Sequence, residues 1–324
     1  MPKLWELSQL AAQLESTEGT EPDALAAGDA KFLVRNLQFK IGMPNFKRSS
    51  RASTFSKFVS IPGARMGTLS FEMDLYGNIA SATAPAWGIL MQACGLKATA
   101  ASTTWVYTPS SVWDPTTMGS SDHKSLNMAF YTDGRVREIG GARGKMTIRG
   151  KVGEPLVGVF EFVGALTSDP SDSALLSSIT YDTNSTVPPI FAGAALSLGG
   201  LSAAEAVVDT FELDTGNTVT MRPDANAATG YRSAAITNRE ARFRFDPEAT
   251  TTSEHDFYGL WKAGTTGALA LSVGSSHNKI AIAAPVVQYE DLTEADRGGI
   301  LVYQMDCALQ RSSGDDEFSI TLGV

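Results

Sequence analysis

What most constrains this chain is a change in hydrophobic period. In residues 67–77, GTLSFEMDLYG, Leu69, Phe71, Met73 and Leu75 alternate with Thr68, Ser70, Glu72 and Asp74. A repeat of two puts the two sets on opposite faces of a strand, so one face is buried and the other wetted. The pattern returns in NREARFRFDPE (238–248), where Ala241, Phe243 and Phe245 alternate with Glu240, Arg242 and Arg244. Further stretches read as strands: KFLVRNLQFKIG, SLNMAFY, GKMTIRGKV and LVGVFEFVG in the first half, and GALALSVG, NKIAIAAPVVQYED and GGILVYQMDCALQ in the second. The expected fold is mainly β, of the α+β kind.

Helical spacing interrupts this pattern three times. APAWGILMQACG (84–95) has Trp87, Leu90, Met91 and Cys94 on one face, opened by Pro85 and closed by Gly95. HDFYGLWKAGT (255–265) is of the same kind. Residues 4–14 carry Leu4, Trp5, Leu7, Leu10, Ala11 and Leu14, which predicts an N-terminal helix. A Gly/Pro/acid arm follows, ESTEGTEPDALAAGDA.

Each half reads strand, long loop, strand, helix, then strands. This predicts an internal duplication of one α+β unit. The expected organisation is a helix and arm over 1–30, a first domain over 31–165, a linker over 166–190 rich in Ser, Asp, Thr and Pro, and a second domain over 191–324. Two long loops, 40–65 and 214–239, fall at matching places, and long loops in compact domains are usually functional or disordered.

Residues 130–152, FYTDGRVREIGGARGKMTIRGKV, are basic and Gly-rich. A phosphate loop needs a helix directly after it so that N-terminal N–H groups face the anion. Here β-formers follow. The stretch therefore reads as a turn at TDGR and a strand whose solvated face carries Arg143, Lys145, Thr147, Arg149 and Lys151, with Met146 and Ile148 inward.

The net charge is -9, but it is unevenly spread. Residues 1–165 hold 17 Lys and Arg against 14 Asp and Glu, while residues 166–324 hold 9 against 21. An acidic chain is poorly suited to tight general DNA binding, because phosphate neutralisation supplies most of that affinity. Opposite signs in the two halves suit contacts between copies. No apolar run reaches the roughly 20 residues of a membrane span, and the N-terminus has no signal-peptide pattern. Cys94 and Cys307 lie in apolar stretches and are expected to be buried and reduced.

Catalytic chemistry finds no foothold. His123, His255 and His277 lack partners at ligand spacing, and no cluster of acids or nucleophiles forms a site. No metal, cofactor or enzymatic activity is expected.

Several stretches together resemble the major tail, or tail tube, proteins of long-tailed, non-contractile bacteriophages. They are the arm ESTEGTEPDALAAGDAKFLVRNLQF, then GTLSFEMDLYG before APAWGILMQACGL, TWVYTPSS, and SLNMAFYTDGRVREIGGARGKMTIRGKVGEPLVGVFEFVG. The resemblance implies a β-sandwich or partly closed barrel with one flanking helix, joined between subunits into rings that stack into a channel for DNA. For a duplicated chain it implies two such units in tandem and three chains per ring. It also implies a virion location after assembly in the host cytoplasm, and tape-measure, tail-terminator and distal-tail proteins as partners. DNA would be a transient, non-specific occupant, and no membrane would be involved.

The expected stacking element is the acid-free loop 40–65, through Phe46, Lys47, Arg48, Arg51, Phe55, Lys57 and Phe58. Its expected counterparts are Glu18, Glu21 and Asp23 of the arm, Glu290 and Asp291 of a second-half loop, and Asp315, Asp316 and Glu317 near the C-terminus. The alternatives are a capping or distal ring with the same fold, or a carbohydrate- or host-binding β-sandwich. The last would need an exposed aromatic cluster, for which Trp105, Tyr107 and Trp113 are the candidates.

Overall fold

The computed structural model describes residues 3–20, 24–77, 83–120, 122–181, 187–201 and 207–323. The first half forms β1 (Ser8–Leu14), β2 (Arg35–Gly42), β3 (Asn45–Phe46), β4 (Ile61–Pro62), β5 (Met66–Asp74), helix α1 (Gly88–Ala93), β6 (Leu96–Ala101), β7 (Thr104–Pro109), β8 (Leu126–Thr132), β9 (Arg135–Lys151) and β10 (Val157–Asp172). The second half forms β11 (Ala195–Leu198), β12 (Val208–Asp214), β13 (Asn217–Pro223), β14 (Tyr231–Arg239), β15 (Arg242–Pro247), helix α2 (Phe257–Ala263), β16 (Thr266–Val273), β17 (Ile280–Arg297), β18 (Ile300–Gln310) and β19 (Ser319–Leu322). The fold is mainly β and antiparallel throughout its ladders, and among the described residues no barrel closes within one chain.

Strand order repeats. In the first half β2 pairs β5, β5 pairs β10, β10 pairs β9, β9 pairs β8, and β8 pairs β1. In the second half β12, β15, β18, β17, β16 and β11 follow one another in the same way. The halves join where β12 pairs β9, Glu212 opposite Arg149 and Asp214 opposite Thr147. The hairpin of β6 and β7 crosses over and pairs with β19. One continuous core runs beneath both halves and contains Phe71, Phe160 and Phe162 as well as Phe211, Phe243 and Phe245. Each such ring, fully buried, contributes about 2–3 kcal/mol.

Local signals account for several boundaries. The turn Asp133–Gly134 joins β8 to β9 with Thr132 opposite Arg135, and Gly134 takes the positive φ that this tight turn requires. Helix α2 starts where Asp256 Oδ1 accepts the Gly259 N–H at 2.8 Å, and ends at Gly264 in the left-handed region.

Five expectations need correction. Residues 8–14 form a strand, not a helix. β1 is buried on both faces: Leu10 and Ala12 enter the main core, while Ala11 enters a smaller one with Leu25, Ala129 and Tyr131. A doubly buried strand yields a run of adjacent apolar residues that resembles helical spacing. The segment 214–239 is not an open loop but a two-stranded hairpin, β13 with β14. Residues 290–296 belong to β17 rather than to a loop. Arg143 is fully buried, not solvated. It keeps the alternation of Lys145 and Thr147, but the arm and the β13–β14 hairpin cover that face there: its guanidinium donates to Glu18 and to the Ala234 carbonyl. The stretch read as a linker begins within β10, which runs on to Asp172.

Candidate assembly interface

Two features have a geometry suited to contacts beyond the chain, a charged sheet face and an exposed loop; a third, the arm, is anchored within it.

The face that alternation leaves outside the core carries charge on nearly every strand. Arg35 reaches Glu72 at 3.3 Å and Asp74 at 2.6 Å. Lys145 reaches Glu161 at 3.0 Å. Glu212 receives Arg149 at 2.8 Å across the junction of the halves and Arg244 at 2.6 Å within its own half. Arg242 reaches Glu290 at 2.7 Å, and Arg297 reaches Glu248 at 2.8 Å. The hydrogen bond from Arg242 to Glu290 holds that guanidinium above its usual pKa. Part of this face lines a hollow of about 790 Å³. Each partly exposed pair contributes only about 0–1 kcal/mol. Their collective effect is on potential: the basic side chains are spoken for by carboxylates on neighbouring strands.

The loop between β2 and β5 projects. Its only ladder is β3 with β4, two residues each. Phe46, Lys47, Arg48, Arg51, Phe55, Lys57 and Phe58 are all exposed, Phe55 completely. The Arg48 guanidinium lies 5.3 Å from the Phe58 ring centre. Val59 and Ile61 are exposed as well, an unusual concentration of apolar side chains in water.

The arm is fastened by two buried acids. Glu15 accepts the Gly141 N–H at 2.7 Å and the Gly19 N–H at 2.8 Å. Burial pushes its carboxyl up, against the hydrogen bonds from Ser125, Gly141 and Gly19. Glu18 accepts Trp113 Nε1–H at 2.6 Å and Arg143 Nη1–H at 3.1 Å, and also bonds Arg222 and Ser233. Burial opposes its charge, yet Ser233, Arg143, Trp113 and Arg222 outweigh it and hold the carboxyl below its ordinary range. Arg143 and Arg222 flank the Trp113 ring at 5.3 and 4.7 Å, and His123 stacks on it at 6.4 Å.

The acids expected opposite the loop separate into groups. Glu18 is fully enclosed and committed to Arg143 and Arg222, so it presents nothing to another copy. Glu21 and Asp23 lie outside the described residues. Glu290 is held by Arg242. Asp315 and Glu317 are both held by Arg239, and Asp316 receives the N–H groups of Ser312, Ser313 and Gly314. Asp291 is exposed and, like Glu294 and Asp296, has no cation within salt-bridge distance among the described residues. Trp105, Tyr107 and Trp113 form no exposed cluster: Tyr107 is fully buried, Trp105 packs on the core, and Trp113 is half-buried beside Arg143, Arg222 and His123. The Glu18, Arg143, Trp113, Arg222 and Ser233 network was invisible in the sequence, because its members come from four distant segments.

A repeated, mainly β body with an open sheet and a projecting loop is what a family comparison must account for. The family model for phage tail tube proteins matches residues 5–308. The chain belongs to that family. As a phage tail tube protein it is a structural component of the virion tail that self-assembles into tubes. No curated protein matches it in sequence. Among the described residues no three His, Cys, Asp or Glu side chains gather as a metal site, and no helix is long and apolar enough to cross a membrane.

Proposed function

We propose that this tail tube protein is a duplicated subunit, that three chains close a ring, and that rings stack into the DNA conduit of a non-contractile tail. The observation that carries the reading is the repeated strand order in an open sheet with free edges. Two like units per chain supply six units from three chains, and a contact that repeats head to tail closes a ring when its rotation closes. Free edges of this kind invite pairing with another chain, and a ring removes them.

The conduit face is the charged one. DNA slides past a wall that does not neutralise its phosphates. Here Arg149, Arg242, Arg244 and Arg297 are already paired with carboxylates. The tip of the loop between β3 and β4, with Lys47, Arg48, Arg51, Phe55 and Lys57, carries the contact between rings. Assembly takes place in the host cytoplasm, and the tube ends meet tape-measure, terminator and distal-tail proteins.

Negative-stain microscopy of the purified protein tests the reading. Tubes of stacked rings are expected. A single ring that never stacks points to a capping or distal role, and a protein monomeric at high concentration overturns it.

A further inference from the structure

The junction inside the chain is a template for a junction between chains. The two halves can be matched residue by residue. β2 ends at Gly42 and β12 at Asp214, two residues before Gly216; with the two glycines aligned, the segments that follow, 43–65 and 217–239, are equal in length. Both end on an arginine held by acids beyond the next strands: Arg65 by Asp169, Arg239 by Asp315 and Glu317. By this match Lys40 corresponds to Asp214, Gln38 to Glu212, and Phe71 to Phe245. Following the registers outward, Phe71 leads through Phe160 to Met146, and Phe245 leads through Met305 to Leu292. Thr293 of β17 therefore corresponds to Thr147 of β9, and Ala295 to Arg149.

Inside the chain, β12 pairs β9 over residues 210–214 and 147–151. The corresponding strands, β2 and the C-terminal part of β17, each lack a neighbour on that side among the described residues. The hairpin after β12 shows what the hairpin after β2 is missing. Ser233 and Ala235 are 0% and 5% exposed against the first half, whereas their counterparts Val59 and Ile61 are 83% and 55% exposed. Apolar side chains stand in water where their polar or small counterparts are buried.

Charge is reversed between the two junctions. Over 144–151 β9 carries Lys145, Arg149 and Lys151 and no acid, and β12 carries Asp209, Glu212 and Asp214 and no base. β2 carries Arg35 and Lys40 and no acid, and β17 over 290–297 carries Glu290, Asp291, Glu294 and Asp296 with one base, Arg297, already bound to Asp246 and Glu248. Lys145 and Asp214 of the internal junction are replaced by Asp291 and Lys40.

We infer that β2 of one copy pairs with β17 of a second copy of this chain, Lys40 opposite Thr293 and Gln38 opposite Ala295, with the stem of its hairpin seated on that neighbour. The reversed charge keys this contact. β2 repels β9, and β12 repels β17, so neither external strand competes for the internal junction, and copies join only head to tail. The inference rests on the ring reading above and adds the strands, the register and the selectivity.

The test is a Gln38→Cys/Ala295→Cys chain, assembled and then oxidised or treated with a short bis-thiol crosslinker. Cys94 and Cys307 are buried and give little background. Covalent oligomers are expected on non-reducing gels from the double variant and not from either single one. Tubes that form without this crosslink overturn the inference and leave the tube reading standing; the absence of both tubes and crosslinks overturns the two together. In a second arm, Lys40→Glu and Asp291→Lys each raise the concentration needed for assembly about fivefold, and their combination restores it to within about twofold. Unchanged assembly in both single variants overturns the keying.

Discussion

Glu18 and Arg143 meet with 3.1 Å between Oε2 and Nη1, and neither side chain has any exposed surface. One belongs to the N-terminal arm and the other to the longest strand of the first half. A buried pair of this kind fastens the arm, because removing either member strands a charge in the interior. Arg143→Met and Glu18→Gln are each expected to lose about 3 kcal/mol in urea unfolding. The double variant is expected to fall short of the sum by more than about 1 kcal/mol, which a double-mutant cycle measures. Additive losses would show that the two residues act separately.

Stability is expected to fall on mild acidification. Burial, followed by the nearby Arg143 charge, pushes His123 down to about 4, and its Nδ1 lies 3.3 Å from the Ser110 carbonyl. Its unfolded value is about 6.5, so the unfolded state binds the extra proton first. Stability from this group is complete above pH 6.5, declines between pH 6.5 and 4, and then levels off, a loss of up to about 3 kcal/mol. Glu18, held low, adds a loss below its unfolded carboxyl pKa; Glu15, held high, acts oppositely, since its contribution is present at low pH and lost as pH rises through its folded value. In His123→Phe the slope between pH 6.5 and 4 should flatten, as read by urea midpoints across pH.

End-on views of assembled rings should average to three-fold symmetry with six similar lobes. The lobes are alike because the strand order from β2 to β1 repeats from β12 to β11. Twelve lobes from six chains would contradict a ring of three.

Reversing Lys47, Arg48 and Arg51 together to Glu should leave circular dichroism and ring formation unchanged and reduce the length of stacked tubes. A single reversal should do little, because one exposed pair is worth about 0–1 kcal/mol. Phe55 adds an apolar part to this contact, so high salt alone should not dissolve tubes. Normal tube lengths for the triple variant across a salt series would remove the loop tip from the stacking role.

Gly216 should not tolerate a side chain. Its φ is +61°, and a Cβ there would lie 1.9 Å from the Glu240 carbonyl oxygen. Gly216→Ala is expected to lower the thermal midpoint through loss of about 2 kcal/mol or more and to loosen the β13–β14 hairpin, visible as faster amide exchange.

Alternation, turn chemistry and helix ends act over a few residues, and these features were readable from the chain itself. Leu69 to Leu75 had to form a strand with one apolar face, Asp133–Gly134 had to turn, and Gly95 and Gly264 had to close short helices. The resemblance to tail tube proteins could be read for the same reason. What depended on distant partners could not. Residues 8–14 became a strand because β8 offered a ladder and both faces could be covered, and in such a position sequence period no longer separates helix from strand. Arg143 follows the same alternation as Lys145 and Arg149, yet Glu18 of the arm and the β13–β14 hairpin cover it and enclose it. Glu290 and Asp291 looked like loop acids until β18 supplied their strand a partner. Charge tells where a side chain prefers to be; only the assembled fold supplies the counter-charge that lets it be elsewhere.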